Sequence, residues 1–296
     1  RLGYQLWLQT TERWETAGTI KAFYLHKLAE DYLKDCNIKT ASQTPQHISI
    51  DHFEKMPLEL READTMVLRL GESYGTGTQF GLVKIPGQLK DFFIIDEEIF
   101  ATTKTKTYIP TTTFHKIYPF SLLPNTSETT LVNYSMATGV LFSALNIDPS
   151  YEPSAPATGK SQYTFKVKPH SKLNTIFEHK KGQVEIDALF VGKHQNTQSL
   201  FVIEAKVGNS FPSLAKHKLV YPILGIANNI PRDMNIIPVY LRIIKAQEGT
   251  IFKIATLDFP DPRKTMPAID ELKISNTNIY LIPNISVFCV IIKYFT

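Results

Sequence analysis

Cysteine is nearly absent: the 296 residues hold two, Cys36 and Cys289, far apart in the chain. That spacing makes neither a disulfide framework nor a metal site, and both read as reduced, unremarkable thiols. Long apolar runs are missing as well. No stretch approaches the roughly 18 residues that a bilayer-spanning helix requires, so no membrane partner is expected. The first residues lack the charged-then-apolar pattern of a secretory leader, which makes a cytoplasmic protein the expectation. Tryptophan is limited to Trp7 and Trp14, read here as packing residues. Nucleotide-binding loops are missing too. Residues 71–81 (GESYGTGTQFG) lack the Gly-Lys-Ser/Thr ending of a phosphate-binding loop and are read as a long hairpin connection. Gly159-Lys160-Ser161 has that ending, but Ser154 stands where the upstream glycine belongs. Ser213-x-x-Lys216 matches a serine-hydrolase pair in form alone.

What is present is enough for a sizeable core, with 43% hydrophobic residues, and an uneven charge. Residues 1–162 carry 15 Lys and Arg against 18 Asp and Glu, net −3; residues 163–296 carry 17 against 10, net +7. A basic half suits a polyanionic partner, because phosphates are bound largely through Lys and Arg.

The first half reads as α+β. Apolar spacing predicts a helix over 16–36, a short helix near 50–61 and strands over 65–70 and 82–85. A buried strand with an acidic tail is expected over 89–100, β-prone sequence over 101–113 and a helix over 130–145. Residues 149–161 (PSYEPSAPATGKS) are rich in Pro, Ser, Ala and Gly and read as a linker. The expected division is therefore 1–148, an accessory domain; 149–162, linker; and 163–296, a second domain. In that domain, strands are expected over 163–168, 174–179, 184–191 and 200–207, with a turn at 180–182 and a polar loop over 192–199. A helix over 210–221 should kink or end at Pro222. Strands over 236–244, 250–257 and 279–282 and an apolar element over 286–295 complete it.

The chemistry concentrates in 182–208, GQVEIDALFVGKHQNTQSLFVIEAKVG. Charges inside apolar strands are costly unless something pairs with them. Here they alternate: Glu185 and Asp187 share one face of the first strand, Glu204 and Lys206 one face of the second. Paired as a hairpin, they converge. The plain alternative is a surface ladder of opposite charges. The apolar flanks argue for burial on both faces, and a buried carboxylate pair beside one lysine suits a bound cation. Asp187, Glu204 and the Ala205 carbonyl form a hard oxygen set for Mg²⁺. Lys206 can orient an attacking water or stabilise charge in a phosphorane-like transition state. Glu185 is a supporting acid.

E-I-D followed by a strand with E-A-K resembles the PD-(D/E)XK nuclease superfamily, of the type II restriction-endonuclease kind. The "PD" is replaced by Ile186-Asp187. The following FPSLAKHKLVYPIL is similar to the QLYYP-type segment of such enzymes, with Lys218 where the glutamine would sit. The resemblance covers about 45 residues, 176–221. It implies an α/β mixed-sheet restriction-endonuclease-like core with an α+β N-terminal accessory and DNA-recognition domain, which would enter a groove by its helices or by the segments 71–81 and 101–113. It further implies Mg²⁺, replaceable by Mn²⁺, held by Asp187 and Glu204; Lys206 assisting the water; double-stranded DNA as substrate; and a homodimer for cutting both strands. Lys180, Lys181, Lys216, Lys218 and Tyr221 are the DNA-contact candidates, with Lys166, Lys168 and Lys172 nearby. The rival readings are a non-catalytic nucleic-acid-binding protein on the same fold, a repair or transposon-end nuclease, and a metal-independent structural protein.

Overall fold

The computed structural model describes residues 23–25, 50–72, 78–123, 126–148, 150 and 155–284. Most of the helix expected over 16–36, the element expected over 286–295, both cysteines and both tryptophans lie outside those residues. Phe23–Leu25 are described, and they form strand β1 rather than helix. They pair antiparallel with residues 79–81, and that pairing overrides the helical spacing.

The elements that follow are α1 (Leu58–Glu62), β2 (Thr65–Glu72), β3 (Thr78–Lys84), β4 (Phe93–Ile95), α2 (Asp96–Ile99), β5 (Thr105–Thr107) and α3 (Phe114–Ser121). Next come α4 (Glu128–Ala137), α5 (Val140–Ala144), β6 (Ala157–Val167), β7 (Phe177–His194), β8 (Thr197–Val207), β9 (Ser213–Ala215) and α6 (His217–Ile226). The last are β10 (Asn235–Lys245), β11 (Gly249–Asp258) and β12 (Lys273–Pro283). Among the described residues, ten strands make one mixed sheet in the order β1-β3-β2-β7-β8-β10-β11-β12-β5, with β6 paired to β7 off that path. β7 and β8 are antiparallel; β8 and β10 are parallel, joined by a crossover through α6. The chain is thus α/β with a mixed sheet, as its sequence implies.

Several expected boundaries move. The linker read over 149–162 is strand from Ala157 onward, because ATGKSQYTFKV hydrogen-bonds along β7 as an exposed outer strand. Strands from both halves share the sheet, so the division at 149–162 does not divide it. β2 meets β7 at Gly71 and Lys180. Side chains are excluded there: a Cβ on Gly182 would strike the His179 ring and come within 2.7 Å of the Gly71 Cα. The helix expected over 130–145 is two, α4 and α5, broken where Gly139 takes φ 81°. The strand expected over 89–100 is extended only at β4; Asp96, Glu97 and Glu98 open α2 instead, where acidic residues favour a helix start. The helix expected from residue 210 begins at His217, because residues 213–215 pair with β4, and it runs past Pro222.

The turn expected at 180–182 is a β-bulge within one 18-residue strand, β7. Lys181 takes φ 41°, and the register jumps from Phe165↔His179 to Tyr163↔Gly182. The extra residue resets the alternation: Phe177 and His179 are buried before it, Gly182, Val184, Ile186 and Ala188 after it. Lys180, Lys181, Gln183 and Glu185 consequently face outward. The polar loop expected over 192–199 shrinks to Gln195 and Asn196, both at positive φ (48° and 65°), a two-residue hairpin turn that matches strand twist.

The sheet separates two cores. Leu219, Val220 and Leu224 of α6 pack with Tyr240 and the β2–β3 side chains on one face. Leu131, Val132, Val140 and Leu141 of α4 and α5 pack on Phe201, Ile203, Ala205 and Leu241 on the other. β8 and β10 alternate between these layers, which sends Glu204 toward α6.

Candidate active site

The register Ala188↔Ile203 places Asp187 beside Glu204 at the end of the β7–β8 pairing. Asp187 Oδ2 accepts a 2.8 Å hydrogen bond from the Ala205 amide, which fixes its side chain across the strands. The Lys206 ammonium closes the group. Its Nζ donates to the Ala205 carbonyl at 2.7 Å and lies 3.0 Å from Glu204 Oε1 and 3.9 Å from Asp187 Oδ2. A single cationic nitrogen thus touches all three oxygens of the expected metal set. The hairpin brings together Asp187, Glu204, Ala205 and Lys206 as the alternation implies.

Two further charges complete the cluster, both beyond the reach of sequence periodicity. Glu128, at the start of α4, sets its carboxylate 3.3 Å from Lys206 Nζ. Its only sequence signal is a place in the first turn after the Ser127 cap, which any acidic residue favours. Lys218, expected as a DNA contact, reaches inward to 3.7 Å from Glu204 Oε1.

Glu204 is only 2% exposed. Burial, partly offset by Lys218 and Lys206, pushes its carboxyl up to about 7. Its Oε1 is held by charge: the neighbouring ammonium groups make no aligned hydrogen bond to it. Burial also works against the Lys206 charge, but Glu204, Asp187 and Glu128 outweigh it and raise that amine above its ordinary value. Lys218 is raised too, chiefly by Glu204.

A divalent cation fits this donor set. Two carboxylates, one of them with a buried oxygen that accepts no hydrogen bond, and one carbonyl make a hard oxygen set, and Mg²⁺ takes one or two carboxylates with the rest of its shell from water and phosphate. Among the described residues no group of three or more His, Cys, Asp or Glu side chains is arranged to hold a metal ion.

Other candidates fall elsewhere. Glu185 is exposed opposite Lys160 and lines a neighbouring cleft of about 220 Å³ with Asp51, Arg69, His217 and Lys218. Lys180 and Lys181 are exposed; Lys181 is 3.9 Å from Glu72. Lys216 is 7% exposed, and burial beside Lys273 lowers its amine to about 8 despite Asp91 and Asp270. Tyr221 is buried against Phe165, His179 and His217. Ser213 is fully buried, accepting from the Phe53 amide and donating to Glu54, a structural role. Among the described residues no helix is long and apolar enough to cross a membrane.

A family model described as a domain of unknown function (DUF6997) matches residues 92–276. The chain belongs to that family. The matched segment spans Glu128, Asp187, Glu204, Lys206 and Lys218, and it crosses residues 149–162 without a break. No curated protein and no solved structure matches the chain.

Proposed function

We propose that this DUF6997 protein is a Mg²⁺-dependent endonuclease of the PD-(D/E)XK kind that hydrolyses phosphodiester bonds in double-stranded DNA. We also propose that it acts as a sequence-specific enzyme, dimeric when it cuts both strands. The observation that carries the reading is the single contact point of Asp187, Glu204, the Ala205 carbonyl and Lys206. The antiparallel hairpin, the following helix and the parallel strand beyond it support the restriction-endonuclease-like core.

Asp187, Glu204 and Ala205 would hold the cation, which supplies Lewis-acid polarisation of the phosphate and lowers the pKa of water. The chain's own residues do the rest. Lys206 stays protonated in its ring of carboxylates, so it acts as charge and hydrogen-bond donor, not as a base. It orients the attacking water and faces the charge that builds on phosphorus. Water adds to phosphorus as one of its protons passes to solvent, and the bond to the sugar oxygen breaks as that oxygen takes a proton from solvent. Asp187 and Glu204 set the position, and the Ala205 amide locks Asp187.

The test is conversion of supercoiled plasmid to nicked and linear forms in Mg²⁺. Asp187→Ala and Lys206→Ala should each slow it about 100-fold or more, the usual scale for removing one preorganised charge. Cutting by both variants at the wild-type rate would refute the assignment. A wild type that binds DNA but never cuts it would favour the non-catalytic reading.

A further inference from the structure

The outward face of the β6–β7 pair has no place in the hydrolytic cluster, yet it lies on the strand that carries Asp187. The bulge at Lys181 turns Lys180, Lys181, Gln183 and Glu185 outward on β7, and Asp187 follows on the same strand at a second register shift, between Ile186 and Leu189. On β6, Lys160, Gln162, Thr164 and Lys166 are exposed. The register sets Gln162 opposite Gln183 and Lys160 opposite Glu185. Thr164 Oγ1 accepts from the Lys181 amide at 2.9 Å and holds the bulge in shape. Between residues 181 and 187, among the described residues, β7 pairs with β6 alone.

The charge leans positive. On the two strands, up to residue 186, Lys160, Lys166, Lys180 and Lys181 stand against Glu178 and Glu185, and Glu72 of β2 lies 3.9 Å from Lys181. A two-stranded ribbon fits the major groove of B-form DNA, and a glutamine side chain can pair bidentately with an adenine edge. Gln183 stands four residues from Asp187, roughly 13 Å at about 3.3 Å per residue. That is close to four base-pair steps at about 3.4 Å each.

We infer that this face is the groove-entering surface of the protein, with duplex DNA as its partner. Gln162 and Gln183 meet base edges, while Lys160, Lys166, Lys180 and Lys181 meet phosphates on either side. This inference rests on the nuclease reading for its partner. It moves the reading surface from the first-half segments around 71–81 and 101–113 to the strand that also bears Asp187.

The test is fluorescence anisotropy of a labelled random-sequence 30-mer duplex across a salt series, on the full chain. Lys180→Glu with Lys181→Glu should weaken binding 10-fold or more and reduce the slope of log K against log salt by about 2. Lys104→Glu with Lys106→Glu, the same charge change on β5 at the far end of the sheet, should do neither. Equal losses from both pairs, or no loss from the first, overturn the inference. A second arm reads plasmid digestion fragments: Gln162→Ala with Gln183→Ala should change the fragment pattern, and an unchanged pattern overturns the base-reading role. Asp187→Ala separates the two claims. If it stops cutting while the 180/181 variant binds as wild type, the surface fails and the nuclease stands. If binding depends on the ribbon but neither Mg²⁺ nor Mn²⁺ gives cutting, the nuclease reading fails and the surface stands.

Discussion

Lys206 makes more ionic contacts than any strand position would suggest, and each has a consequence. Glu128 lies 3.3 Å from its ammonium and does not belong to the expected cation set. With Glu204, Asp187 and the Ala205 carbonyl given over to the proposed cation, Glu128 would be the group left to hold Lys206 in reach of the phosphate. Glu128→Gln should therefore lower the cutting rate about 10-fold, less than Lys206→Ala, in the range typical of a single supporting charge. Single-turnover cleavage of one duplex by both variants measures the difference. Another residue sets the surrounding frame. Arg242, 2% exposed, donates to Asp96 at 3.0 Å and to the carbonyls of Gly208 and Phe211 at 3.1 and 2.6 Å. It ties β10 to the loop that follows the Glu204–Lys206 strand. Arg242→Leu leaves the buried Asp96 with the Tyr240 hydroxyl but no cation beside it and should cost about 3 kcal/mol in urea unfolding. The sequence showed Asp187, Glu204 and Lys206 because alternation along two strands is a local property. Glu128 and Lys218 were hidden because their meeting with the site depends on how α4 and α6 pack, which no local pattern encodes.

At the scale of elements, the β7–β8 hairpin was legible and its surroundings were not. Alternating apolar residues fixed both strands, and Gln195-Asn196 suits the tight turn. The bulge at Lys181 was not legible: Lys180-Lys181-Gly182 has the composition of a turn, and only pairing with β6 and β2 keeps it inside a strand. The glycine there serves the seam, since Gly182 faces Gly71 with no room for a side chain. Gly182→Ala should destabilise the fold by more than about 2 kcal/mol, as overpacking against backbone does. It should act on stability far more than on the intrinsic cutting step of the folded fraction. Denaturant melts beside cleavage rates normalised to folded protein separate the two effects. The Pro- and Ser-rich stretch misled for a related reason. Its apolar content is low because β6 is an exposed outer strand, and a solvated strand and a linker share that composition.

For the whole molecule, the mixed sheet carries both halves, so stability is expected to be shared across residues 50–284. One contribution to its pH dependence comes from His179, 1% exposed, with His217 lowered alongside it and the raised carboxyl of Glu204 acting in the opposite sense. Burial lowers the His179 imidazole to about 4, Arg69 adds to the effect, and the hydrogen bond with the Tyr163 carbonyl opposes it. Tyr221 and His217 pack nearby. The folded form resists protonation, so the unfolded chain binds the proton first. The stability tied to neutral His179 is complete above the ordinary histidine value near 6.5 and is lost as pH falls toward 4. Urea unfolding at pH 5 should show about 2 kcal/mol less stability than at pH 7.5 from this group, and His179→Gln should flatten the slope. The fold class was legible because the order of strands and helices is a sequence property. That strands of both halves share one sheet was not, because it depends on which distant strands pair.

The central claim is that Asp187 and Glu204 hold a cation that lets this protein cut DNA. The most direct measurement is the initial rate of supercoiled-plasmid nicking against Mg²⁺ concentration, for the wild type and for Glu204→Gln, with a chelator as the zero point. The wild type should rise from no cutting in chelator to a saturating rate, and Glu204→Gln should stay at least about 100-fold lower at every concentration. Metal-independent nicking, or matching curves for the two proteins, would contradict the account.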